Sequence, residues 1–92
     1  MNSILQDVKE CYVCGRMDCL EDHHIFPGNP NRKISERHGF KCWLCHGHHN
    51  EPPDGAHFNR ALDLRLKQEC QAKYEESHTR AAFRALIGKS YL

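Results

Sequence analysis

The chain has 92 residues, 39% of them apolar and 27% charged, with a formal net charge of +1. That length fits one small domain with a modest core, the size range in which bound metal or oligomerisation commonly supplements packing. No apolar run approaches the roughly 18–20 residues of a membrane helix, the first residues turn polar too soon for a secretory leader, and so small a net charge says little about nucleic acid.

Residues 1–10 read as a short lead-in, with a strand or turn around Ile4 and Leu5. Cys11-Tyr-Val-Cys14-Gly15 reads as a zinc knuckle, two thiolates on one ion with glycine allowing the tight turn after them. Leu20 to Phe26 predicts a strand presenting His24 at its end, stopped by Pro27-Gly28-Asn29-Pro30. Residues 28–39 read as a loop with a helical turn from Ser35, ended by Gly39. Lys41 to Leu44 predicts a second short strand and Cys45 to Asn50 one or two helical turns, broken by Pro52 and Pro53.

From Phe58 to about Glu76 the pattern is helical: Phe58, Leu62, Leu66, Cys70 and Tyr74 recur at four-residue steps, with Leu64 and Ala72 broadening the packing surface. Thr79 caps a last predicted helix carrying Ala82, Phe83, Leu86 and Ile87 before Gly88. The expected class is small α+β, a single domain over 1–92 with its motifs in 11–58 and helical support in 58–92.

Six cysteines and eight histidines carry the chemistry. A disulfide framework needs a secreted context, which the N-terminus does not supply; Cys pairs with histidines nearby fit structural zinc in a reducing cytoplasm. Cys11 and Cys14 form one ligand pair. The second is either Cys45 with His48, which share a helical turn, or Cys42 with Cys45, which do not obviously share a direction; the first is preferred. Cys19 is a spectator and Cys70 belongs to the helical stripe. Adjacent His23 and His24 point to opposite faces of a strand, so one can bind metal while the other meets a phosphate. His49 turns away from His48 toward a second site, and the turn ending at His57 can fold back to it. His38 and His78 read as ordinary exposed residues, and His46 as exposed or as support for a ligand. The blander reading is one zinc-stabilised module with its other histidines on the surface.

The basic residues Arg32, Lys33, Arg37 and Lys41 crowd one loop against Glu36 alone, and Arg60, Arg65 and Lys67 follow on the long helix. Such a cluster can contact a few phosphates without making the domain basic, although it equally describes a solvated surface.

Taken together, Cys11-x-x-Cys14-Gly15, Asp22-His23-His24-Ile25-x-Pro27, Leu44-Cys45-x-x-His48-His49 and Gly55-Ala56-His57 resemble the HNH endonucleases of the zinc-containing ββα-metal class, especially small phage and recombination-associated members. The resemblance implies His24 as general base and His23, His49 and His57 as ligands of a catalytic divalent ion (Mn²⁺, Ni²⁺, Zn²⁺ or Mg²⁺). It implies Cys11, Cys14, Cys45 and His48 around structural Zn²⁺. The family's middle Asn aligns with Phe40, so Asn31, or less favourably Asn50, is expected to hold the loop or orient the base. The resemblance further implies phosphodiester hydrolysis of DNA in the cytoplasm of a phage-carrying host. A second copy, or a recombination or replication protein, is the expected partner. A zinc-containing binding module derived from the same fold, without catalysis, is the alternative.

Overall fold

The computed structural model describes residues 1–92. Six elements follow in order: β1 (Leu20–His24), α1 (Asn31–His38), β2 (Lys41–Cys45), α2 (His46–Asn50), α3 (Arg60–Glu75) and α4 (Arg80–Ile87). β1 and β2 pair antiparallel, with Leu20 opposite Cys45 and His24 opposite Lys41. Helix α2 continues directly from β2, giving a small α+β unit of the ββα-metal kind with further helices behind it. No helix is long and apolar enough to cross a membrane.

β1 stops at His24, short of the expected Phe26, because Ile25 and Phe26 both turn into the core. Strand alternation forbids two consecutive inward side chains, so the chain leaves the sheet there. Its backbone groups are still paired: Ile25 N–H donates to Phe40 O (2.9 Å), and the Ser35 hydroxyl donates to Phe26 O (2.9 Å).

The expected loop over 28–39 is instead mostly α1, which starts at Asn31 and ends at Gly39, whose φ of 71° is the left-handed conformation glycine adopts cheaply. Only Ser35 of this helix is buried. With no apolar stripe there was no 3.6-residue period to read. Gly39 also lets the N-terminal segment approach: an added Cβ would lie 3.0 Å from Asn2 O, and Ile4 N–H donates to Gly39 O (3.0 Å). The lead-in forms no strand, yet it runs along β2, where Gln6 Oε1 accepts from Trp43 N–H (2.7 Å).

The core is an aromatic cluster in which Phe26, Phe40 and Phe83 are fully buried. Phe26–Phe40 and Phe40–Tyr74 meet edge to face at centroid distances of 5.7 and 5.4 Å, a preferred aromatic geometry. Helix α3 begins at Arg60, not Phe58; Asn59 caps it, its side chain accepting from Leu62 N–H (3.0 Å). Leu62, Leu66, Cys70 and Tyr74 form the buried stripe as expected. Leu64 and Ala72 instead face solvent, and Gln71 widens the stripe. Gln71 is fully buried because its amide is satisfied: Nε2 donates to Glu75 (2.7 Å) and Ser90 (2.9 Å), and Oε1 accepts from Tyr91 N–H (2.7 Å).

α4 carries the expected cap, Thr79 Oγ1 accepting from Ala82 N–H (3.0 Å), and ends at Gly88. Thr79→Ala is expected to cost about 1 kcal/mol, lowering the thermal midpoint by roughly 4–8 °C in a domain of this size. An unchanged melting curve would remove the cap from the account of α4.

Candidate metal centres

Three groups of side chains come close enough to ligate a metal, and two of them share α2; the third, Asp22, His24 and Glu36, is mostly exposed. In the first, Cys11, Cys14, Cys45 and His48 bring their donor atoms within 4.8 Å of one another. The knuckle loop is closed by Gly15 (φ 77°), whose N–H donates to Cys11 O (2.8 Å). Cys45 ends β2 and caps α2, and His48 lies one turn on. His48 Nδ1 is 3.3 Å from Cys45 Sγ and 3.8 Å from Cys11 Sγ, and Cys14 Sγ is 3.9 Å from Cys45 Sγ. A tetrahedral zinc with ordinary bond lengths separates its ligands by about 3.6–3.8 Å, so this Cys3His cluster fits a structural zinc site.

Burial would push the Cys11 thiol up, but hydrogen bonds from the backbone at Cys45, Cys14 and Val13 bring it down to about 6. Such donors favour the thiolate that a metal needs. Cys42 is not among the four. It lies three residues from Cys45 on β2 and so faces the other way, fully buried, with burial holding its thiol far above the ordinary range. Cys70 is also buried, its thiol pushed up to about 12 by desolvation, while Cys19 is exposed.

The second group is His23, His49 and His57. His23, on β1, is 2% exposed and neither of its ring nitrogens has a hydrogen-bond partner. Unpaired buried polar atoms cost free energy, and here burial, then the neighbouring His49 and His57, lowers the ring to about 3. A neutral imidazole with a free lone pair is the state that ligates metal. His49 Nε2 and His57 Nε2 are 3.1 Å apart, a little inside the roughly 3.3–3.4 Å between neighbouring imidazole nitrogens on one tetrahedral ion at ordinary bond lengths. The three rings are also neighbours, with centroids 4.8–5.5 Å apart.

Gly55 delivers His57. The segment after α2 folds back on that helix, with Gly55 N–H donating to Glu51 O (2.7 Å) and Ala56 N–H to His48 O (2.8 Å). A Cβ on Gly55 would lie 2.8 Å from Glu51 N and 2.9 Å from His49 C, so only glycine permits this approach.

Glu21 orients His49 from behind. It accepts from His49 Nδ1–H (2.7 Å), His46 Nδ1–H (2.8 Å) and Asn50 Nδ2 (2.7 Å). Bonds from His46 first and His49 second hold its carboxyl down to about 2. A carboxylate on one imidazole nitrogen leaves the other free for metal. Sequence reading did not single out Glu21, although it lies two residues before His23 and so on the same strand face.

His24 borders a polar cavity of about 220 Å³ that it shares with His23, His49, His57, Asp22, Pro27 and Arg32. Its Nε2 is 2.7 Å from Glu36 Oε2. Asn31 is elsewhere: its side chain donates to Ile87 O (3.3 Å), tying α1 to the end of α4 rather than touching His24. Asn50 sits on Glu21. Phe40 is core.

Lys41 was expected to meet phosphate, but it is 4% exposed and its ammonium is held by Glu36 (2.7 Å) and Asp22 (3.0 Å). β2 is covered on both faces, so side chains are buried on either face of it, Lys41 as well as Cys42. Arg65 is paired with Glu69 (2.8 Å) and borders a cavity with His48, away from the three histidines. Arg32, Lys33, Arg37 and Arg60 are exposed and make no ion pair. Arg32 lines the histidine cavity, and Arg60 lines a neighbouring one that shares Pro27 and His57 with it. His38 stacks on Phe40 (5.6 Å) and His78 on Tyr74 (4.1 Å), away from both groups. Comparison with known proteins finds no matching family model, no matching curated protein and no matching solved structure.

Proposed function

We propose that the chain is a metal-dependent DNA endonuclease or nickase, similar in its motifs to the HNH nucleases. The observation that carries this reading is the orphaned, buried His23 ring facing His49 and His57, with His24 on the same polar cavity. His23, His49 and His57 would hold the divalent ion, and Cys11, Cys14, Cys45 and His48 the structural zinc. Three imidazoles suit a transition ion such as Mn²⁺, Ni²⁺ or Zn²⁺ better than Mg²⁺. When bound, that ion supplies charge neutralisation at the scissile phosphate and the leaving oxygen.

The remaining steps belong to the chain. Neutral His24 takes a proton from water as the water oxygen bonds to phosphorus and the bond to the 3′ oxygen breaks. Arg32 and Arg60, free of carboxylate partners and flanking the histidines, pair with phosphates on either side of the cut. Lys33 and Arg37, exposed on α1, extend that phosphate contact. These groups hold a backbone and read no bases, so sequence preference is weak. A second copy or a recombination or replication protein selects the cutting site.

Element analysis is expected to find two metal equivalents per chain. His57→Ala should lose one and keep zinc, because His57 lies outside the Cys3His cluster. Incubation of supercoiled plasmid with each divalent ion tests the activity directly. One tightly held zinc and no metal-dependent nicking would favour a non-catalytic binding module instead.

A further inference from the structure

Two observations on α1 and β2 converge on His24. The first is the placement of Glu36. Ser35 is fully buried and its hydroxyl bonds both the N–H (3.3 Å) and the carbonyl (2.9 Å) of Phe26. These two hydrogen bonds lock α1 against the end of β1, and Glu36, the next residue, reaches His24 Nε2 at 2.7 Å.

The second is Lys41. It is His24's cross-strand partner, and its side chain is 5% exposed. A lysine so deeply buried requires carboxylate partners, and it has them in Glu36 (2.7 Å) and Asp22 (3.0 Å). Glu36 alone, with its side chain 59% exposed, would be a loose surface group. The buried ammonium fixes one end of its carboxylate and so presents the same oxygen, Oε2, to His24.

We propose that Glu36, clamped by Lys41, is a positioning residue for His24, fixing the ring and its tautomer for proton abstraction. The proposal rests on the reading of His24 as the base. An ionised carboxylate only accepts hydrogen bonds, so Nε2 carries the hydrogen and Nδ1 keeps the free lone pair. The water proton therefore goes to Nδ1. Glu36 thus supplies the orientation for which the aligned position, Phe40, has no polar group.

The test compares wild type, Glu36→Ala, Glu36→Gln and His24→Ala as zinc-loaded proteins nicking plasmid DNA with Mn²⁺. Glu36→Ala should lower kcat roughly 10- to 100-fold, the usual loss when the partner of a functional histidine is removed, with KM for DNA little changed. Glu36→Gln should recover much of the rate, since its amide oxygen can accept the same hydrogen. Imidazole ¹⁵N spectra of the zinc-loaded proteins should show one His24 tautomer in wild type and a mixture in Glu36→Ala.

Full kcat in Glu36→Ala, or an unchanged His24 tautomer, would overturn the positioning role while an inactive His24→Ala upholds the base. A fully active His24→Ala would overturn the base itself, and the positioning role with it.

Discussion

His24→Ala is expected to bind both metals, melt within a few degrees of wild type and lose about 10²- to 10⁴-fold in cleavage rate, the contribution typical of a general base. The retained stability follows from the setting. His24 belongs neither to the His23 group nor to the cysteine group; the side chains gathered around it are the carboxylates of Asp22 and Glu36, and its hydrogen-bond partner, Glu36, is largely exposed. Exposed pairs of this kind contribute about 0–1 kcal/mol. Lys41 keeps both carboxylates, so no buried charge is stranded. Rate constants on nicked plasmid, set beside metal content and thermal unfolding, separate the chemistry from the fold. Turnover equal to wild type at matched metal loading rules His24 out as the base.

Cys11→Ala should have the opposite signature: loss of zinc together with loss of structure. Only 20 of 92 residues are buried, and a domain of this size holds about 5–15 kcal/mol of net stability at most. Structural zinc contributes about 10–16 kcal/mol of apparent binding free energy in small modules, which is of the same order. Cys11 is itself 1% exposed, so the substitution also leaves a void beside the remaining thiols. Far-UV dichroism and zinc analysis are expected to fall together, and a strong chelator should reproduce the effect on wild type. Cys19→Ser, altering an exposed thiol outside the cluster, is the control. Native zinc content and an unchanged melt in Cys11→Ala would exclude the knuckle as a structural anchor.

Much of the fold was legible because its signals are local. The four-residue stripe of α3, the Thr79 cap and terminal Gly88 of α4, and the short β2–α2 run each need only neighbouring residues to be read. Of helix α1 only the last turn from Ser35 and the Gly39 stop were legible; its start at Asn31 was not, since a single buried residue, Ser35, leaves no periodic trace. Phe58 repeated the α3 spacing but lies before the Asn59 cap, where periodicity alone does not mark the start. In the site, the spacing of Cys45 and His48 pointed to a shared helical turn, and these two do lie together with Cys11 and Cys14. The misreading of Lys41 came from treating charge as surface. Its burial depends on Asp22 and Glu36, which approach from different elements, and no local pattern reports that meeting. Glu21 escaped notice for a similar reason, because its partners His46, His49 and Asn50 arrive from α2.

Helix α2 has only five residues, and two consecutive ones face different centres: His48 joins the cysteines and His49 joins His23 and His57. A single turn of backbone is therefore common to both. On the proposed reading the two centres are mechanically coupled, since a shift of α2 at His48 is carried to His49. Zinc held on one side of the turn would then also steady the histidines on the other, so folding and the proposed cleavage would share one short piece of backbone.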